Sequence, residues 1–223
     1  MKRRGRTWSV VLSVAVLLAV AAGGWEFGRR WNGRWDGGGL LHGHRATWRH
    51  YGEEVLEEAG KRALPAAYFL ALIELESGGR KPAGRRFESH VFDRLVAVQA
   101  GERERIENVT TEKLQGASEE ALRNLATSWG PFQLMGYKCV GLDVQIRDLR
   151  GDAAIPLGIR WIDETYGDAL RAGRFKDAFH LHNTGKPFPA DGVARTFHPG
   201  YVDRGLALMQ RFESELQADE KTP

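Results

Sequence analysis

The chain has 223 residues, 42% hydrophobic and 27% charged, a composition that fits one globular domain with a full core and excludes a disordered or fibrous protein. Its net charge of +3 is uneven: residues 1–50 carry nine Lys/Arg and two acids, whereas residues 51–223 carry 23 and 27, so the folded part is acidic and argues against a nucleic-acid partner. Cys139 is the only cysteine, which excludes an internal disulfide and a zinc finger and leaves the compartment open.

In chain order, Lys2, Arg3, Arg4 and Arg6 precede an apolar run from Trp8 to Ala22. A basic start followed by such a run is the pattern of a secretory signal, and Ala19-Val20-Ala21 supplies a small-x-small cleavage site. Extended to Trp25, the run reaches about eighteen residues, the lower limit for a bilayer span, so residues 8–25 also read as an inner-membrane anchor. Both readings export the domain to the periplasm or cell envelope. Residues 1–24 are thus expected to be signal peptide or anchor, 25–46 a Gly/Arg/Trp-rich tether around Gly37-Gly38-Gly39, 47–217 the domain and 218–223 a tail.

The domain reads as mainly helical. Residues 47–61 form an amphipathic helix, and a second helix starts at Leu64-Pro65 and is stopped after Glu76 by Gly78-Gly79. A short helix is expected over 88–99. Ser118 is a good N-cap for a helix with Glu119 and Glu120 in its first turn. Asp152 reads as the cap of another helix, which should stop at Gly167, and residues 174–183 and 200–217 complete the set. Few stretches alternate as strands do, so the sheet is at most small.

Glu76 is the residue most suited to chemistry. It continues the stripe of Phe69 and Leu72 at helical spacing, so its carboxylate is carried towards the core at the negative end of a helix. Both effects disfavour its charged form and equip it to donate a proton near neutral pH. Glu74 points roughly 200° away on the same helix, so the two cannot face one site. Some fifty residues later, Ser128-Trp129-Gly130-Pro131-Phe132-Gln133 offers a turn with backbone amides and aromatic faces for a sugar.

Glu76-Ser77-Gly78, Gly130-x-Phe132-Gln133 and Asn183-x-Gly185 resemble, in order and spacing, the three motifs of the lysozyme-like lytic transglycosylase superfamily. The N-acetylmuramidase family of bacteria and phages is similar more closely, at Glu74-x-Glu76-Ser77-Gly78-Gly79, Arg86-Phe87-Glu88-Ser89-His90-Val91-Phe92 and Ser128-Trp129-Gly130-x-Phe132-Gln133-x-Met135-Gly136. The resemblance spans residues 50–215. It implies a lysozyme-like α+β fold and an exported enzyme that cuts the β-1,4 bond from N-acetylmuramic acid to N-acetylglucosamine in peptidoglycan, without a cofactor. By the same resemblance Glu76 is the general acid, Ser77 orients it and Gln133 bonds the sugar. The chain departs from the wider pattern at His182, where a tyrosine is usual before Asn183; an imidazole can still stack on a sugar or donate to it.

Glu88 bears on mechanism. Hydrolysis needs a second carboxylate to activate water or stabilise the sugar cation, whereas a lytic transglycosylase uses the muramic acid's own 6-hydroxyl and needs none. Trp129, Phe132 and Tyr137 are the candidate apolar sugar contacts. A catalytically dead wall-binding scaffold is the rival outside enzymes. Other chemistries lack support: His42-x-His44 falls in the tether, His180-x-His182 splits across helix faces, and no His-Glu-x-x-His or Gly-x-Ser-x-Gly segment exists, so no metal is expected.

Overall fold

The structure, a computed structural model, describes residues 42–219. The apolar run and most of the expected tether lie outside the described residues. Among the described residues, no helix is long and apolar enough to cross a membrane.

The first helix, α1 (His44–Gly60), is followed by α2 (Ala66–Ser77), whose mean composition is so apolar that Ala67 through Ile73, and Leu75, are all buried. A helix that is hydrophobic all round must be surrounded. Here α1 and the last helix, α8 (Tyr201–Asp219), pack against it, while α6 (Ala154–Arg171) lies against α1 and α7 (Phe175–Thr184) against both α6 and α8. The fully buried rings of Tyr68, Phe69, Phe132, Phe179 and Phe212 fill this core. Truncating one such phenylalanine to alanine costs about 3–5 kcal/mol.

A second, smaller core is built by α3 (Ser89–Gln99), the hairpin β2 (Arg105–Ile106) and β3 (Val109–Thr110), α4 (Glu119–Leu125) and α5 (Lys138–Leu142). Between the two cores lies an antiparallel sheet of β1 (Arg86–Phe87), β4 (Thr127–Trp129) and β5 (Leu134–Met135), in the order β1-β4-β5. Its register pairs Arg86 with Ser128 and Ser128 with Met135. The fold is therefore mainly α with a small antiparallel sheet, as the sequence indicates.

Local signals act as expected at several ends. Gly78 adopts the left-handed conformation, φ 64°, that terminates α2, and its carbonyl accepts from Gly43 N at 2.7 Å. Ser118 caps α4 through Ala121 N. In the β4–β5 turn Gly130 has φ 73°, and a Cβ there would sit 2.0 Å from Leu149 O, so only glycine fits.

Three boundaries differ. α1 begins at His44, so residues 44–46 of the expected tether form its first turn; His44 is held there by Glu74 (3.2 Å) and Glu215 (2.7 Å). α6 begins at Ala154 after Ala153, and Asp152 does not cap it. It also passes through Gly167 to Arg171, with a local break at Tyr166 (φ −148°, ψ 24°). A mid-helix glycine costs only about 1 kcal/mol, and burial of Ala169 and Leu170 outweighs it.

Candidate active site

Glu76 stands on the last turn of α2, where the helix leaves its carboxylate among buried aromatics. The side chain is 18% exposed. Tyr201, the first residue of α8, donates its hydroxyl to Glu76 Oε1 in a short hydrogen bond. No hydrogen bond to Oε2 occurs among the described residues and the side chain is not fully enclosed, so Oε2 is the oxygen suited to carry and deliver a proton. Desolvation by burial raises the Glu76 pKa from 4.5 to about 7, against the opposing pulls of the Tyr201 hydrogen bond and the Arg86 charge. The burial expected from the sequence is present, but α2 is apolar on every side rather than along one stripe.

The remaining wall is a chain of directed hydrogen bonds. Tyr68 donates to Tyr166 (3.3 Å), Tyr166 donates to His182 Nδ1 (2.8 Å), and His182 Nε2 donates to the Phe132 carbonyl (3.0 Å). Tyr166 stands at the break in α6 and is buried. His182 is 6% exposed, and burial, with the Lys138 charge as a lesser cause, lowers its pKa to about 4 despite the Phe132 carbonyl. Its 4.0 Å approach to Glu76 Oε1 is therefore a contact of a neutral ring, not an ion pair.

Glu74 is committed elsewhere. It faces His44, which stacks on Phe212 at 4.0 Å, so of the two carboxylates only Glu76 enters this site. Glu88 lies just after β1 with both oxygens on the Arg86 guanidinium, at 2.7 Å and 3.0 Å. Arg86 thereby links Glu88 electrostatically to Glu76.

The other residues singled out by sequence are mostly interior. Ser77 is buried and donates to Ile73 O at 2.9 Å, back along its own helix. Trp129, 4% exposed, donates its indole N–H to Asn124 O, and Phe132, 1% exposed, packs edge-on to Phe69. Neither presents an open ring face. Gln133 spends its amide N–H groups on Gly84 O and Gly130 O, both 2.8 Å, and accepts from Ser128. Asn183 accepts from Phe197 N at 3.1 Å. Together with Asp177 and His180, which bond Phe188 N and Arg195 N, it ties the 186–200 loop to α7 and so delivers Tyr201 to Glu76. Tyr137 is half-buried and donates to Glu107, whose carboxylate also holds Lys138 at 2.6 Å. Lys138 in turn lies 4.6 Å from the centre of the Trp161 ring.

Sequence reasoning missed Tyr201, Tyr166, Tyr68, Arg86 and Trp161. Only Arg86 lay within a motif already singled out; the tyrosines carry no local signal, since their partners are remote in the chain.

The backbone is similar to the crystal structure of Burkholderia AP3 phage endolysin, with a TM-score of 0.50 and 20% identity over 74% of this chain and 70% of that one. No protein-family model and no curated protein matches the chain. At this level the likeness is one of fold, a mainly helical domain with a small antiparallel sheet.

Proposed function

We propose that the protein cleaves the glycan strands of peptidoglycan at the β-1,4 bond following N-acetylmuramic acid, with Glu76 as general acid. The observation that carries this reading is a carboxyl group with a pKa of about 7, one oxygen fixed by Tyr201 and the other open. Such a group is largely protonated at neutral pH and can protonate a departing glycosidic oxygen. The fold shared with a phage endolysin and the three sequence motifs support the substrate class. Half-buried Tyr137 and Trp161 are the side chains we assign to sugar contact, whereas neutral His182, with both ring nitrogens bonded inside the protein, holds the wall beside Glu76. Ser77, Trp129, Phe132, Gln133 and Asn183 then act by shaping the walls. Residues 8–25 export the domain and, where uncleaved, anchor it; a reporter fused after Pro223 should work only outside the cytoplasm.

In the muramidase form of the reaction, water attacks the sugar cation and Glu88 serves as the stabilising carboxylate. A second reading, lytic transglycosylation, is favoured by one observation: both Glu88 oxygens are already engaged by Arg86. Glu76 would then act as acid and afterwards as base for the 6-hydroxyl. Mass spectrometry of digested peptidoglycan separates the two. Reducing muramic acid ends, lost in Glu88→Gln, support the muramidase; anhydro products, lighter by one water, assign the transglycosylase. A Glu76→Gln protein that keeps its rate would refute both, since loss of a general acid lowers the rate by about a hundredfold or more.

A further inference from the structure

A cavity of about 260 Å³ lies beside the wall that Gln133 braces, lined by α1, the 81–85 loop, the β4–β5 turn and the 150–155 segment. Gly130 belongs to this lining, and its carbonyl is bonded to Gln133. Two positive groups stand over one buried ring: the Arg85 and Arg150 guanidinium carbons lie 5.7 Å and 4.9 Å from the Trp129 ring centre. The indole is itself fixed by its bond to Asn124 O. The same cavity holds two acids, Glu54 and Asp152, near enough for Asp152 to disfavour ionisation of Glu54. Burial is the larger cause of the raised Glu54 pKa, and Lys81 opposes it.

Opposite charges at a protein surface usually close on each other when their side chains can reach. Here, among the described residues, Arg85, Arg150, Glu54 and Asp152 form no ion pair and no side-chain hydrogen bond, and Lys81, in the same lining, is the one cation whose charge acts on Glu54. A carboxylate set against the two guanidinium groups is suited to bidentate recognition. An ammonium beside the two acids would relieve their repulsion. The volume falls below the roughly 300–1,000 Å³ of sites for larger organic ligands, so the ligand is small. We infer that this cavity binds a zwitterionic α-amino-acid centre, with its carboxylate on Arg85 and Arg150 and its ammonium on Glu54 and Asp152. Two sources offer that chemistry: a free amino acid, or the diamino-acid residue of an uncrosslinked peptidoglycan stem. Only the stem source rests on the function proposed for Glu76.

The test uses full-length protein carrying Glu76→Gln, so that binding is read without turnover and independently of glycan cleavage. Titrants are diaminopimelic acid, its carboxylate-only counterpart pimelic acid and its ammonium-only counterpart 1,5-diaminopentane. Binding is followed by calorimetry and by the NMR signal of the Trp129 indole N–H. Diaminopimelic acid should shift that signal and bind at least tenfold more tightly than either control. Arg150→Gln and Glu54→Gln should each weaken it about tenfold while leaving the rest of the spectrum in place. Equal binding of pimelic acid would overturn the proposal in favour of a plain anion site, and so would an unshifted indole signal. A muropeptide with a free diamino-acid stem distinguishes the sources. Binding tenfold tighter than diaminopimelic acid assigns the stem, and equal or weaker binding assigns the free amino acid.

Discussion

Replacing Glu76 by glutamine should make the protein more stable, and increasingly so as pH rises. The folded carboxyl titrates at about 7 and the unfolded one at 4.5. Below pH 4.5 both states hold the proton, and the group makes no pH-dependent difference. Between 4.5 and about 7 the unfolded chain loses its proton first, so the native state loses stability with each step upward. Above about 7 both are ionised and the loss is complete, at about 3 kcal/mol from the 1.36 kcal/mol carried by each pH unit between the two values. The side chain is only 18% exposed, so solvent screening takes little from this figure. Glutamine has no charge to desolvate and can still accept from Tyr201. His182 works in the opposite direction, since its folded pKa of about 4 lies below 6.5 and its contribution is lost as pH falls through about 4. That contribution is common to both proteins and cancels in their difference. Urea unfolding of wild type and Glu76→Gln at half-unit steps from pH 4 to 8 should give a stability difference that climbs by about 3 kcal/mol, equivalent to roughly 6–12 °C in Tm for a chain of this size. A difference that stays flat within about 0.5 kcal/mol would show that Glu76 is not desolvated, and the acid would have to be sought elsewhere.

Tyr201→Phe removes the hydrogen bond that holds the Glu76 pKa down. The alkaline limb of the pH–rate profile should then move upward from about 7 while the rate below it falls about tenfold, as the loss of one charge-assisted hydrogen bond implies; an unmoved limb would contradict the geometry. Asn183→Ala should cost about 1 kcal/mol and expose the 186–200 segment to proteolysis, because Phe197 N loses its acceptor. Gly130→Ala forces a Cβ against Leu149 O at a left-handed φ, and chemical unfolding should register a loss of about 1–3 kcal/mol or more. A loss below about 0.5 kcal/mol would mean the β4–β5 turn can shift freely.

Several helix ends, the helix class and the character of Glu76 could be read from the sequence because each depends on residues within a turn or two. Gly78 ends α2 through its own φ, Ser118 caps α4 through a residue three positions on, and the apolar run around Leu70 commits α2 to the interior. Its position in line with Phe69 and Leu72 turns the Glu76 carboxylate towards the interior, where burial raises its pKa. Partner identity is not local in this way. Tyr201 reaches Glu76 across 125 positions, and His182 reaches the Phe132 carbonyl across 50. The same packing spends Asn183 on the loop that carries Tyr201, whereas the Glu88–Arg86 pair, two positions apart, is local. The sequence therefore determined which group would hold a proton near neutral pH. Only the tertiary structure decided which of its oxygens is fixed and which is open, because hydrogen-bond direction is set by the side chains that distant helices bring together.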